Sequence, residues 1–224
     1  VNPARILLLT FTRRAAGEMV RRVDGILRQL NHLAEKRGAR VGKYSGKQLW
    51  GGTFHAVAAR LLRMHGRSIG LEPEFTVHDR SDSEDLINVL RTELDLASAE
   101  TRCPRKSTCI DSYSRCVNSR RSLQDVLTNS FPWCVQYADD LRRLFAAFVD
   151  RKEHNAVLDY DDLLLFWHGL LSDPAAGTAI RSRFDCVLVD EYQDTNLLQA
   201  ETLQLLSPDG QGVTVVGDDA QSIY

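Results

Sequence analysis

The 224-residue chain lacks most of the features that announce a function outright. No stretch approaches the ~18 consecutive apolar residues of a membrane span. The opening VNPARILLLTFT has only a short apolar run and no small-residue cleavage site behind it, so it is not laid out as a secretory leader. Cysteine is sparse: Cys103, Cys109, Cys116, Cys134 and Cys186 are odd in number and form no C-x-x-C pair. That suits reduced thiols in a cytosolic protein better than a disulfide framework or a zinc site. Cys103, Cys109 and Cys116 could together hold a metal, but no regular ligand spacing supports it. A charge excess is missing too, with 28 Lys+Arg against 30 Asp+Glu and a net charge of −2. Bulk charge therefore does not mark a nucleic-acid binder. The arginines do cluster locally, as at Arg13, Arg14, Arg21 and Arg22, which fits phosphate contacts and solvated helix faces equally well. Finally, there is no G-x-x-x-x-G-K-[ST] phosphate loop. Gly42-Lys43-Tyr44 and Gly46-Lys47-Gln48 come nearest, but both lack the hydroxyl and follow a helix where the motif needs a strand.

What is present has the composition of a soluble globular protein, 43% hydrophobic and 26% charged. RILLLTF, from Arg5 to Phe11, is a short continuous apolar run, the pattern of a strand buried on both faces of a parallel sheet. Met19, Val23, Ile26, Leu30 and Leu33 then recur at helical spacing as one stripe. The basic, glycine-rich segment from Lys36 to Lys47 reads as an exposed loop. QLWGGTF reads as a second strand and HAVAARLLRMHG as a second helix closed by Gly66. From Arg80 to about Leu158 the periodicity is helical with no convincing buried strand. Ser81 with Glu84 offers a capping box at its start. At LDYDDLLLFWHGLL the α/β pattern resumes, with Asp159, Asp161 and Asp162 as helix-capping acids. CVLVD and VTVVG are two further buried strands, and Trp50, Trp133 and Trp167 read as core. The expected fold is an α/β parallel sheet flanked by helices, residues 1–79 and 159–224, interrupted by an all-helical insertion, residues 80–158.

Ligands gather at the carboxyl ends of parallel strands. Three strands here end in suitable residues: Thr10, Phe11 and Thr12; Asp190 and Glu191; and Gly217, Asp218, Asp219 and Gln221. A carboxylate at a strand end can hold Mg²⁺, and a second beside it can take a proton from an attacking water. Gln221 could hydrogen-bond a γ-phosphate oxygen or that water. Against this, Phe11 and Phe54 could be ordinary core aromatics, and His55 a satisfied core or surface histidine.

Five segments carry a resemblance. In order, LLLTFTRRAAGEMVRRV, GTFHAVAARLLR, LDYDDLL, VLVDEYQDTNLLQ and VVGDDAQSIY resemble the UvrD/Rep/PcrA group of superfamily 1 DNA helicases. The resemblance covers nearly the whole chain and implies a RecA-like domain 1A interrupted by a helical domain 1B. It further implies ATP and Mg²⁺ as cofactors, with Asp190 on the metal, Glu191 as catalytic base and Gln221 as γ-phosphate sensor. Thr10, Phe11, Thr12, Thr53, Phe54 and His55 would touch single-stranded DNA, and Tyr224 and Tyr160 would stack on bases. Arg13-Arg14 and Ala220 depart from the family pattern without touching this chemistry.

The implied activity is ATP-driven 3′-to-5′ translocation on single-stranded DNA and unwinding at single-strand/duplex junctions, in repair or recombination, in a bacterial cytoplasm at the nucleoid. Without a phosphate loop the chain is expected to be an internal segment of a larger helicase and inactive alone. It would need the Walker A segment and a second RecA-like domain, and its sheet would carry exposed edges that invite association. Two alternatives remain, a RecB/AddA-type helicase–nuclease subunit and a non-catalytic DNA-binding module.

Overall fold

A computed structural model describes residues 2–37, 45–97, 103–218 and 220. The chain enters through a 3₁₀ turn, Pro3–Arg5, into β1, Ile6–Thr10. Thr12 caps the long helix α1, Arg13–Lys36, its hydroxyl accepting from the Ala15 N–H. Strand β2, Trp50–Thr53, and helix α2, Phe54–His65, follow. Gly66 does not stop the chain as its position suggests. It is right-handed (φ −57°), the coil tightens into a 3₁₀ turn over Gly66–Ile69, and Gly70 ends it in the left-handed region at φ 79°.

The two-residue strand β3, Thr76–Val77, precedes four helices: α3, Arg80–Glu93; α4, Lys106–Ser119; α5, Leu123–Ser130; and α6, Ala138–His154. Strand β4, Val157–Leu158, then pairs parallel with β3, so the two ends of the helical segment are stitched together. The chain returns through α7, Tyr160–Ser172; α8, Pro174–Arg181; β5, Cys186–Val189; α9, Leu197–Leu206; and β6, Val213–Val215. The main sheet runs β2-β1-β5-β6, all parallel, as the sequence pattern anticipates.

Alternation along the strands sorts the two faces. Leu7, Leu9, Val187 and Val189 point into a core closed by α2, α7 and α9, where Phe54, Leu61, Trp167 and Leu198 are buried. The opposite face is covered only in part, by α1. Ile6 and Leu188 are half-buried there and Val216, just past the edge strand, is 59% exposed, while Val215, on the face of Val189, is 47% exposed. The expectation of burial on both faces thus holds for Leu7, Leu8 and Leu9 but not for β6. Likewise, the apolar stripe of α1 is only partly used, since Ile26, Leu30 and Leu33 are more than half exposed. The cause is length: 24 helical residues reach about 36 Å, against about 17 Å for a five-residue strand, so the second half of α1 overshoots the sheet.

A second, separate core lies among α3 to α6, around Ile87, Leu90, Leu127, Leu141, Leu144 and Phe148. Helix α3 is capped by Asp79 paired with Asp82, not by Ser81 with Glu84. The His78 N–H is bound to the Leu158 carbonyl, which anchors the chain just before Asp79 and fixes where the helix can begin. Trp50 and Trp167 are core, but Trp133 is 65% exposed and leans edge-on against Phe131. The five cysteines are free, and no group of three His, Cys, Asp or Glu among the described residues could hold a metal. A hydrogen bond with Cys109 lowers the Cys103 thiol to about 7.

The two cores are joined by a buried lysine. Lys152 Nζ of α6 lies 2.5 Å from Asp159 and 2.6 Å from Asp162, with all three residues buried. Those two acids also form the capping box of α7, Asp159 Oδ1 accepting from the Asp162 N–H and Asp162 Oδ2 from the Asp159 N–H. Burial, and then the neighbouring Asp159, push the Asp162 carboxyl up to about 6. Asp161 does not cap; it accepts from Ser114 and Asn118 instead.

Candidate functional site

Strand register places the candidate residues on one edge. Thr10 is level with Thr53, Leu9 with Val189, and Val189 with Val215. Because all four strands are parallel, their carboxyl ends line up across the sheet: Thr53, Thr10, Asp190, then Val216 and Gly217.

The acidic end is a tight turn. The Asp190 N–H donates to the Leu9 carbonyl at 3.0 Å, so this half-buried acid is still held by the sheet ladder. Glu191 then takes a left-handed conformation, φ 54° and ψ 45°. For a residue with a Cβ this costs about 1–2 kcal/mol, and it turns an exposed carboxylate away from the line of the strand. A 3₁₀ turn over Tyr192–Asp194 follows, and Asn196 caps α9.

Gln193, which sequence reasoning passed over, organises this turn. Its Nε2 donates to Glu191 Oε2 at 2.6 Å, while its Oε1 accepts from the Asp218 N–H at 3.0 Å. One amide thus ties the exposed acid of β5 to the chain leaving β6. Gly217 makes the approach possible, because a Cβ there would lie 2.7 Å from Gln193 Oε1. The only signal in the sequence was the Gln inside DEYQD, two residues past the acid it holds.

The β1 and β2 end carries a different set. Thr10 is fully buried, its hydroxyl donating to the Thr12 carbonyl at 3.0 Å. Thr12 is exposed and caps α1, and Thr53 caps α2. Phe11 is 42% exposed, whereas Phe54 is 2% exposed and its ring centroid lies 6.2 Å from that of Trp167. Two of the expected DNA-contact residues are therefore buried. Phe54 and Thr10 offer no side-chain surface, because one fills the core under α2 and the other closes the β1–α1 turn. His55 is half-buried beside them: its ring centroid is 5.2 Å from that of Tyr160, the first residue of α7, which is 38% exposed. Burial keeps the His55 imidazole below its ordinary titration range. Gln221 and Tyr224 lie outside the described residues.

The site is thus an edge with two chemistries. Oxygen donors at Asp190 and Glu191 suit a hard divalent cation and a water to be deprotonated. Phe11, His55 and Tyr160 offer ring surface, with hydroxyls and helix N-termini beside them. Aromatic faces with helix N-termini suit stacked bases and phosphates.

Comparison with known proteins gives the same direction. The family model of the UvrD/REP helicase N-terminal domain matches residues 1–224. The ATP-dependent DNA helicase PcrA of Leuconostoc citreum is 30% identical over 228 residues, covering 100% of this chain. The proteins of the same name from Staphylococcus epidermidis and Staphylococcus aureus are 31% and 30% identical over 227 residues. This chain spans 27% to 28% of the length of these relatives.

Proposed function

Since the chain belongs to the UvrD/REP helicase N-terminal domain family, we propose that it forms the motor half-site of an ATP-dependent DNA helicase. In this reading residues 80–158 are the inserted domain 1B, and residues 1–79 and 159–224 belong to domain 1A. The observation that carries it is the shared strand edge, where Asp190 and Glu191 stand one strand from Thr10 and two from Thr53. Nucleotide chemistry and DNA contact would occupy neighbouring ends of one rigid sheet.

Asp190 would hold Mg²⁺, and Glu191 would accept the proton of the attacking water. When bound, Mg²⁺ neutralises charge on the β- and γ-phosphates. The residues fit the ion, because both acids are oxygen donors at a strand end and no lysine or arginine is hydrogen-bonded to either among the described residues. Gln193 holds the Glu191 carboxylate by donating to one oxygen, leaving the other to take the proton. Gln221 senses the γ-phosphate. Phe11, Thr12, Thr53, His55, Tyr160 and Tyr224 receive single-stranded DNA, with Phe54 and Thr10 supporting them from beneath.

No phosphate loop occurs within these 224 residues, so turnover is assigned to the complete protein, with its Walker A segment and second RecA-like domain. Translocation runs 3′ to 5′, the substrates are single strands and single-strand/duplex junctions, and the setting is bacterial DNA repair or recombination. The test is strand displacement by the complete protein with ATP and Mg²⁺. Unwinding of a 3′-tailed duplex, with a 5′-tailed duplex left intact, supports the reading. Displacement of neither duplex, or of both without ATP, refutes it.

A further inference from the structure

The helical segment meets the site at Asp161 and Asn196. Asn118, near the end of α4, bonds in three directions. Its Nδ2 donates to Asp161 Oδ1 at 2.6 Å and to the Ser114 carbonyl at 2.9 Å, and its Oδ1 accepts from Asn196 Nδ2 at 2.8 Å. The amide orientations are fixed by their partners. A carboxylate only accepts, so Nδ2 must face Asp161; Asn196 Oδ1 is taken by the Gln199 N–H at 2.9 Å, so its amide must donate to Asn118.

The two partners sit at telling places. Asp161 follows Tyr160, whose ring lies against His55. Asn196 is the cap of α9, two residues past Asp194 at the end of the acidic turn. Asn118 thus ties together the N-termini of α7 and α9, one carrying Tyr160 and the other following the carboxylate turn. Asp161 also needs the donor: burial and then Asp159 push its carboxyl up, while Asn118 and Ser114 hold it down. A shielded carboxylate without donors is costly, which makes this junction hard to distort.

We propose that Asn118 is a positioning residue that couples the DNA end of the site to the nucleotide end, so that bound single strand accelerates ATP hydrolysis through the helical segment. This rests on the function proposed above. Helices α7 and α9 also pack directly on each other, but at their N-termini Asn118 of a third helix is a side chain that hydrogen-bonds to both. Such a role is established by a shift in coupling, not by intermediacy alone.

The experiment compares the complete protein with two variants. Asn118→Leu keeps side-chain bulk and removes the bonds to Asp161 and Asn196. Asn196→Asp preserves the α9 cap, since Asp and Asn cap equally well, but replaces the donor to Asn118 with an acceptor. ATP turnover is measured with and without oligo-dT, alongside oligo-dT affinity and thermal melting. The expected result is basal turnover and oligo-dT affinity within about two-fold of the parent, with the DNA-stimulated increment reduced at least about ten-fold in both variants. The double variant should be no worse than either single one, as for two residues in one link. Stimulation retained within about two-fold in Asn196→Asp overturns the proposal, as does an equal fall of basal and stimulated turnover in both variants. Failure of the proposed function would look different, with the parent itself showing no DNA-stimulated hydrolysis.

Discussion

Removing the ammonium of Lys152 while keeping its stem, as in Lys152→Met, isolates the buried ion cluster that joins the two cores. The lysine side chain is 3% exposed, and Asp159 and Asp162 are 8% and 10% exposed, so water cannot replace the lost cation. Two carboxylates then face each other in the capping box, and at least one must take a proton to fold. Holding one carboxyl neutral at pH 7 costs about three units from an unfolded value near 3.9, at 1.36 kcal/mol each. Asp162 already stands at about 6 in the parent, so the deficit against the parent is about one unit, or about 1.4 kcal/mol. For a chain of this size it corresponds to a melting temperature about 3–6 °C lower.

The pH dependence is the sharper test. In the variant the folded carboxyl titrates above its unfolded value, so the folded state holds the extra proton. Stability is therefore greatest in acid and is lost as pH rises through the folded value. The deficit against the parent should shrink from about 1.4 kcal/mol at pH 7 to nearly nothing at pH 5, where the parent's Asp162 is itself protonated. Circular-dichroism melts and urea titrations of both proteins at the two pH values measure it. A deficit below about 0.5 kcal/mol at pH 7, or one unchanged at pH 5, refutes the reasoning.

Three further outcomes follow from the geometry. His55 should titrate below its ordinary value, so its contribution to stability is present above about pH 6.5 and lost as pH falls through the lowered value. In a proton NMR titration its midpoint should rise toward the ordinary value in Tyr160→Ala, and a parent midpoint at or above 6.5 contradicts the burial argument. Gln193→Ala should lower DNA-stimulated ATP turnover of the complete protein about ten-fold or more while costing less than about 1.5 kcal/mol of stability, the worth of ordinary hydrogen bonds; turnover within two-fold of the parent contradicts it. Trp133→Ala should shift the unfolding midpoint by no more than about 1 kcal/mol, as for an exposed ring in a single aromatic pair, and a larger loss would return Trp133 to the core.

What was legible in the sequence was whatever local pattern controls. The apolar runs of β1 and β5 have no alternative partner that would hide them, so the parallel sheet followed from them directly. The capping acids of α7 were legible for the same reason. Positions set by distant chain were not. Ser81 and Asp79 both satisfy a capping pattern, and only the bond from His78 to Leu158 chooses between them. The burial of Lys152 depends on acids at the start of another helix, which no local pattern around it reveals. Phe11 and Phe54 stand beside analogous strand ends, yet one faces solvent and the other Trp167, a difference set by which helix covers each strand. The strands β3 and β4 are two residues each, too short to carry any periodicity. Within the site, the acid pair was visible as chemistry, but the amide of Gln193 and the reach of Asn118 exist only once the turn and the helical segment are folded together.

Glu191, as the group that takes the proton of the attacking water, stands at the centre of the proposed chemistry. Single-turnover and steady-state ATP hydrolysis by the complete protein, with saturating oligo-dT and Mg²⁺, should fall at least about 100-fold in Glu191→Gln, within the range that a positioned general base contributes. Nucleotide affinity should stay within a few-fold, because the amide keeps the shape of the side chain. Hydrolysis at the parent rate in that variant would contradict the central claim.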